Sequence, residues 1–427
     1  MNKHILWRVA LSLLLIVTGL LAAGLALADD PPAPVPGVEV WLLAGAPVDP
    51  GTPGAQLAFY ALPPNFNGVL LIYCHGYIAP QEPLHLPWEE LAQATLPDGT
   101  SFAPALLNLG FGFATTSYAK NGYAVGVAED DLQELRAHVI TNAPAPVTHT
   151  LLVGASEGGW IAVQMVEKHP DQFQGAMSMG SPLGGGLYQT QYLGDFKVIY
   201  DVLFPGSLPY GLTGAGPDDW QDWETVHAPA IEAAMRAQPS RALGLLAMAR
   251  AAYDPKAWLD TAVQTAQGVL HYSIAAVPDV VATAGGLPYG NVGRRYSGSW
   301  WALLVNYQVE RIPGPDPAAL PFMTAHYEPT GQIGVPVVVV HNLADPVVPY
   351  RHALLYAHKV YDAGRLNDFA LIAAPRYGHV VLDAREILAG LAILYVRAVG
   401  LPHDGLQQYQ GALPAPLSLQ QLVPQLP

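Results

Sequence analysis

The stretch VPVVVVH, Val335 to His341, contains no polar side chain before its last residue. A strand with one wet face alternates apolar and polar residues, whereas a run that is apolar throughout must be covered on both faces, as in a parallel sheet. Seven more runs of strand type occur at Val38–Leu43, Ala55–Leu62, Val69–Cys74, Phe111–Thr116, His149–Val153, Gly175–Met179 and Phe369–Ala373. Helix-patterned stretches stand between them, among them Ala128–Val139, Glu157–Lys168, Arg351–Tyr361 and Ala384–Val399. The alternation predicts a doubly wound α/β sheet of eight mostly parallel strands flanked by helices.

One interval breaks this rhythm. From about Pro182 to Gly334 the chain carries aromatic and Gly/Pro-rich loops with helical pieces at Pro229–Ala237 and Ser240–Ala252. So long an excursion between two sheet strands reads as an inserted cap. The expected organisation is a leader at 1–28, a sheet domain in two parts at 29–182 and 334–400, a cap at 183–333, and a Pro/Gln-rich extension at 401–427. The leader has Lys3 and Arg8 before an apolar core that ends Ala26-Leu27-Ala28. That pattern predicts a secretory signal peptide cut before Asp29 and a secreted or periplasmic protein. An uncleaved membrane anchor is the rival reading.

Composition excludes several classes. With 51% apolar residues among 427 the chain can bury a large core. A net charge of −15 without a long basic run excludes nucleic acid as a partner, because binding phosphates needs clustered Lys and Arg. Cys74 is the only cysteine, so no disulfide forms within the chain, and its strand-end position predicts a buried small hydrophobe. There is no H-E-x-x-H, no paired CxxC and no G-x-x-x-x-G-K-[ST], and GFGFAT lacks the third glycine of a dinucleotide loop. No metal or organic cofactor is implied.

The chemistry concentrates in GASEGG, residues 154–159, between a strand and a helix pattern. G-x-S-x-G in that context predicts a nucleophile elbow, in which glycines leave room for a sharp turn that exposes Ser156 at the start of a helix. A serine hydroxyl is a weak nucleophile and needs a base oriented by a carboxylate, in the chain order Ser, acid, His. Asp345 in HNLADPVVP lies just past a buried strand, and His379 in YGHVVLD follows the next one. A plain turn aspartate before Pro346 is the alternative for Asp345. His341 reads as a packed core residue, and His352 and His358 as solvated or packing positions on a helix. The backbone N–H of Glu157 and that of Tyr77, in the loop YCHGYIAP, are the expected oxyanion donors. His75 and Gly76 read as shaping that loop, and the Glu157 side chain as a solvated charge at a helix start.

Together HGY, GASEGG, HNLADPVVP and YGH resemble the α/β-hydrolase superfamily over roughly Val38–Pro182 and Gly334–Gly400. The segment from Tyr327 to Val360 also resembles exported bacterial hydrolases of poorly defined substrate. The resemblance implies a carboxylic-ester hydrolase or a prolyl-oligopeptidase-like serine peptidase with Ser156, Asp345 and His379 as its triad. A non-catalytic binding protein on the same fold is the reading from a different class. The expected ligand is a small-molecule or polymer ester. Among the aromatic residues of the cap, Trp300 and Trp301, with Trp220, Trp223 and Tyr307, are candidates to line an apolar pocket.

Overall fold

The computed structural model describes residues 39–44, 56–93, 95, 102–214 and 217–400. The leader at 1–28, the Pro/Gly-rich stretches 30–37 and 45–54 and the extension 401–427 lie outside them. The strands are β1 (Glu39–Ala44), β2 (Leu57–Leu62), β3 (Val69–Cys74), β4 (Gly112–Thr116), β5 (His149–Ala155), β6 (Gly175–Met179), β7 (Val337–Ala344) and β8 (Phe369–Tyr377). They form one sheet in the order β1-β2-β4-β3-β5-β6-β7-β8. The pairs β1–β2 and β2–β4 are antiparallel, and every other pair is parallel. Each apolar run of the sequence corresponds to one strand. β7 and β8 continue three and four residues past the runs read from hydropathy, because their hydrogen bonds persist where the side chains turn polar.

The continuous hydrophobicity follows from cover on both faces. Ahead of the turn at Ser156 lie α1 (Trp88–Gln93), α2 (Phe102–Asn108) and α3 (Val125–Asn142), and α4 (Glu157–Lys168) follows it. Leu70, Ile72, Leu152, Val337 and Val339 point to one face, where they share a core with Leu132 and Leu135 of α3 and with Trp160 and Val163 of α4. Leu71, Leu151, Met177, Val338 and Val340 point to the other, against Leu106 of α2 and Leu394 of the last helix. That last helix, α13 (Ala384–Ala398), starts in a capping box made by Asp383 and Glu386.

Between β6 and β7 the described residues form helices only: α5 (Gly186–Leu203), α6 (Pro217–Gln221), α7 (Ala228–Ala237), α8 (Pro239–Ala249), α9 (Trp258–Ala284), α10 (Ala302–Gln308) and α11 (Ala319–His326). After β7 comes α12 (Arg351–Asp362). The insertion has a core of its own in which Phe196, Ile199, Ile231, Leu245 and Val269 are fully buried. Inside it lies an ion pair: Lys197 Nζ is 2.6 Å from Asp201 Oδ1 and donates to the Pro209 carbonyl at 2.8 Å. Burial drives each partner toward its neutral form and their mutual attraction opposes this.

Removing one partner of such a pair strands the other charge in the core. Lys197→Met is therefore expected to lower unfolding stability by about 3–5 kcal/mol in a denaturant titration. Arg236→Ala, which breaks the exposed pair with Glu232 at 2.7 Å, should leave the midpoint almost unchanged. Equal effects of the two substitutions would refute the contrast.

Candidate active site

β5 ends at Ala155 and α4 begins at Glu157, so the whole reversal falls on Ser156, which adopts φ 53° and ψ −122°. A residue with a Cβ is strained there, and such strain persists only where the surroundings enforce it. The flanking glycines show the enforcement. A Cβ on Gly158 would stand 1.9 Å from the Cys74 carbonyl oxygen, and one on Gly154 would stand 2.3 Å from the Gly158 carbonyl. No larger residue fits at either position while α4 stays this close to the ends of β3 and β5.

The other two residues expected from the sequence meet Ser156 at this crest. The Asp345 side chain is buried just past β7, where Oδ1 accepts the N–H groups of Val347 and Val348, each at 2.9 Å. Asp345 is thus a turn aspartate as well as a partner: its Oδ2 lies 2.8 Å from His379 Nδ1. His379 follows β8 between two residues of positive φ, Gly378 at 125° and Val380 at 54°, which aim its ring inward. His379 Nε2 lies 2.9 Å from Ser156 Oγ. An Nδ1–H that donates to the carboxylate leaves Nε2 free to accept the serine hydroxyl. His341 is buried, with Nε2 2.8 Å from the Val348 carbonyl oxygen, and stands outside this line. His352 is a packing residue, also buried, whose Nδ1 accepts the Gly184 N–H at 3.1 Å.

The loop after β3 is fastened from several sides. His75 is buried, its ring stacks on Tyr118 at 4.1 Å, and burial pulls its pKa down to about 4, so it is neutral and structural at ordinary pH. Glu90 of α1, which no sequence motif singles out, accepts the Tyr73 hydroxyl at 2.6 Å and the Gly76 N–H at 3.2 Å. Tyr77, next in the loop, lines the cavity beside Ser156, and no described residue accepts its backbone N–H. The Glu157 N–H belongs to the first turn of α4, which has no intrahelical acceptor. Both expected donors thus border the serine.

The Glu157 side chain departs from its sequence reading. It is buried rather than solvated, accepts the Ala124 N–H at 3.0 Å, and has its pKa raised to about 8, first by burial. The physical reason is that α4 is buried along its whole length from Glu157 to Val166, so it has no wet face on which a charge could sit.

The tryptophan reading is also corrected. A cavity of about 370 Å³ opens beside Ser156 and His379, lined by Tyr77, Leu106, Phe113, Met179, Tyr272 and Leu391 among others. Trp300 and Trp301 are not among them: they stack on each other at 3.8 Å, Trp300 is 69% exposed, and Arg241 covers Trp301 at 4.9 Å. Trp220 and Trp223 pack on His271, and Tyr307 is 88% exposed. Trp300 is thus at the surface of the insertion, and Trp301 is half-buried beneath it against the insertion's own core. The residue that the insertion does send to the cavity is Tyr272 of α9. Among the described residues no group of His, Cys, Asp and Glu is arranged to hold a metal ion.

A carboxyl whose folded pKa is raised from 4.5 to about 8 contributes stability that is complete below 4.5 and is lost as pH rises toward 8. The stability difference between the wild type and Glu157→Gln should accordingly shift in favour of the variant as pH is raised from 5 to 9. A difference that stays flat in unfolding measurements across that range would mean that Glu157 is already ionised in the folded protein.

No known family profile and no curated protein matches the sequence. Among solved structures the chain is similar to feruloyl esterase B from Aspergillus oryzae, at TM-score 0.43 and 14% identity, over 82% of each chain. It is similar to Candida antarctica lipase A at TM-score 0.40 and 15% identity, over 81% of this chain and 74% of that one. It is also similar to an acylaminoacyl peptidase from Pyrococcus horikoshii at TM-score 0.40 and 10% identity, over 87% of this chain. The chain spans 44% of that peptidase. The sheet order, with Ser156 at a strained strand-to-helix turn after β5 and Asp345 and His379 after β7 and β8, gives this chain the α/β-hydrolase fold.

Proposed function

We propose that the protein is a serine hydrolase that cleaves carboxylic esters through an acyl-enzyme on Ser156. The observation that carries this reading is the unbroken line from Asp345 Oδ2 through His379 to Ser156 Oγ, with contacts of 2.8 and 2.9 Å. In this reading His379 Nε2 takes the hydroxyl proton as Ser156 Oγ attacks the ester carbonyl. Asp345, held by two backbone N–H groups, fixes the ring and stabilises the imidazolium that forms. The N–H groups of Glu157 and Tyr77 meet the oxyanion. His379 then protonates the departing alkoxide, and a water activated by the same ring releases the acid.

Support for an ester over a peptide comes from the cavity beside the serine. Its walls are largely aliphatic and aromatic, and among the described residues its one carboxylate, Glu90, is already bonded to Tyr73 and Gly76. Such a site suits an apolar acyl group and offers no free charge to a peptide terminus. An alkoxide also leaves with less help from a proton than an amine does, so an ordinary triad hydrolyses esters readily. Export through the leader at 1–28, with the insertion acting as a cap, completes the proposal. Among the described residues no helix is long and apolar enough to cross a membrane.

Ser156→Ala should abolish both ester turnover and labelling by a fluorophosphonate, and a labelled Ser156→Ala protein would remove the serine from its role. Asp345→Asn is expected to fold and to lose about 10³–10⁴ in turnover. Leu106→Trp should fill the cavity, so that p-nitrophenyl acetate is still cleaved while hexanoate and longer esters are not. Anilide or peptide turnover equal to that of the matched ester would replace the esterase by a peptidase.

A further inference from the structure

The triad leaves unexplained a second cavity, of about 500 Å³, at the seam between the insertion and the sheet domain. Four arginines line it: Arg250, Arg294 and Arg295 from the insertion, and Arg351 from the start of α12. In a chain of 19 basic and 34 acidic residues such a concentration is not the product of average composition. Guanidinium groups gathered round one cleft repel one another unless anions face them.

The protein supplies few such anions. Two carboxylates line the cleft, Asp195 and Asp345. Asp195 is already bonded to Arg294 at 2.8 Å, Tyr296 at 2.9 Å, Gln191 at 3.0 Å and Tyr289 at 3.1 Å. Asp345 is held by His379, Val347 and Val348. Among the described residues, Arg250, Arg295 and Arg351 have no carboxylate within ion-pair distance, and all three are exposed. Their fields converge nonetheless: Arg351, Arg250 and Arg294 each pull the Tyr188 hydroxyl pKa down, against burial that raises it. Arg250 also occupies a left-handed position, φ 55°, at the end of α8, where glycine is the usual residue. A side chain kept there at a conformational cost is consistent with a use for it.

We propose that this cleft binds a ligand bearing two or more anionic groups of phosphate, sulfate or carboxylate type, gripped between the arginines of the insertion and Arg351 of the sheet domain. Guanidinium forks pair with such oxygens two at a time, which favours a ligand with several of them. The volume leaves room for an organic body beside the charged groups. Of the three residues of the proposed triad only Asp345 lines the cleft, and anion binding by the arginines requires no reaction at Ser156.

Calorimetric titration of the full-length protein with inorganic pyrophosphate tests the site, in the wild type and in Ser156→Ala. Both should bind, orthophosphate should bind more weakly, and added salt should weaken both anions. Arg250→Gln, Arg295→Gln and Arg351→Gln are exposed changes that should preserve the unfolding temperature while each lowers pyrophosphate affinity roughly tenfold. Arg294 is left intact because Asp195 needs it. If the anion is part of a substrate, pyrophosphate should raise KM for a p-nitrophenyl hemisuccinate but not for the neutral butyrate. If it is a separate ligand, the two esters should respond alike, and either pattern upholds the site. Absence of binding at millimolar pyrophosphate, or equal affinity in the Arg250→Gln/Arg295→Gln double variant, would overturn it.

Discussion

The contact on which the site depends is the approach of the first turn of α4 to the end of β3. At Gly158 the two backbones come so close that a single Cβ would overlap the Cys74 carbonyl oxygen. This closeness allows one residue, Ser156, to carry the whole reversal from β5 into α4, and it holds that residue at a φ that L side chains avoid. It also brings the loop after β3 beside the serine, since a Cβ on Gly76 would stand 3.5 Å from the Cβ of Ser156. Serine, donor loop and helix start are therefore consequences of one packing constraint. β7 and β8 extend the same sheet, and the loops at their ends bring the acid and the histidine to the crest.

Much of this was legible in the residues. Apolar runs located the strands most plainly from β3 to β7, which are covered on both faces, and GASEGG, Asp345 and His379 could be placed because chain order and strand ends constrain where they emerge. Glu157 was misread because helix starts usually carry solvated acids; the signal against that reading was WIAVQMV, apolar on every side, which marks a buried helix. Trp300 and Trp301 misled for another reason. Aromatic content shows that surface must be covered but not which surface, and these two indoles cover each other. Glu90 and Tyr272 had no local signature at all, because their importance arises from contacts with Gly76 and the Ser156 cavity that only the tertiary fold creates.

Three carboxyl groups surround the serine, and each meets a different set of hydrogen-bond donors. Asp345 accepts two backbone N–H groups and faces the imidazole Nδ1. Glu90 is pushed upward by burial, while the Tyr73 hydroxyl and the Gly76 N–H pull it back down. Glu157 has one backbone donor, and burial outweighs it. The same chemical group thus meets backbone donors and an imidazole at Asp345, a tyrosine hydroxyl and a loop N–H at Glu90, and a single N–H at Glu157.

The state of Glu157 bears directly on the proposed chemistry. Its backbone N–H is one of the two groups that would face the oxyanion, and its side chain hangs from the same residue. A carboxylate there would set a negative charge close to the one developing on the substrate, and in a site this dry the repulsion would be poorly screened. Burial in α4 pushes the Glu157 carboxyl up to about 8, so that in the proposed reaction the donor would act without an opposing charge attached to it. The burial that makes Glu157 unreadable from local sequence is thereby compatible with its place beside Ser156. An exposed glutamate at the same position would have satisfied helix-start electrostatics and worked against the serine.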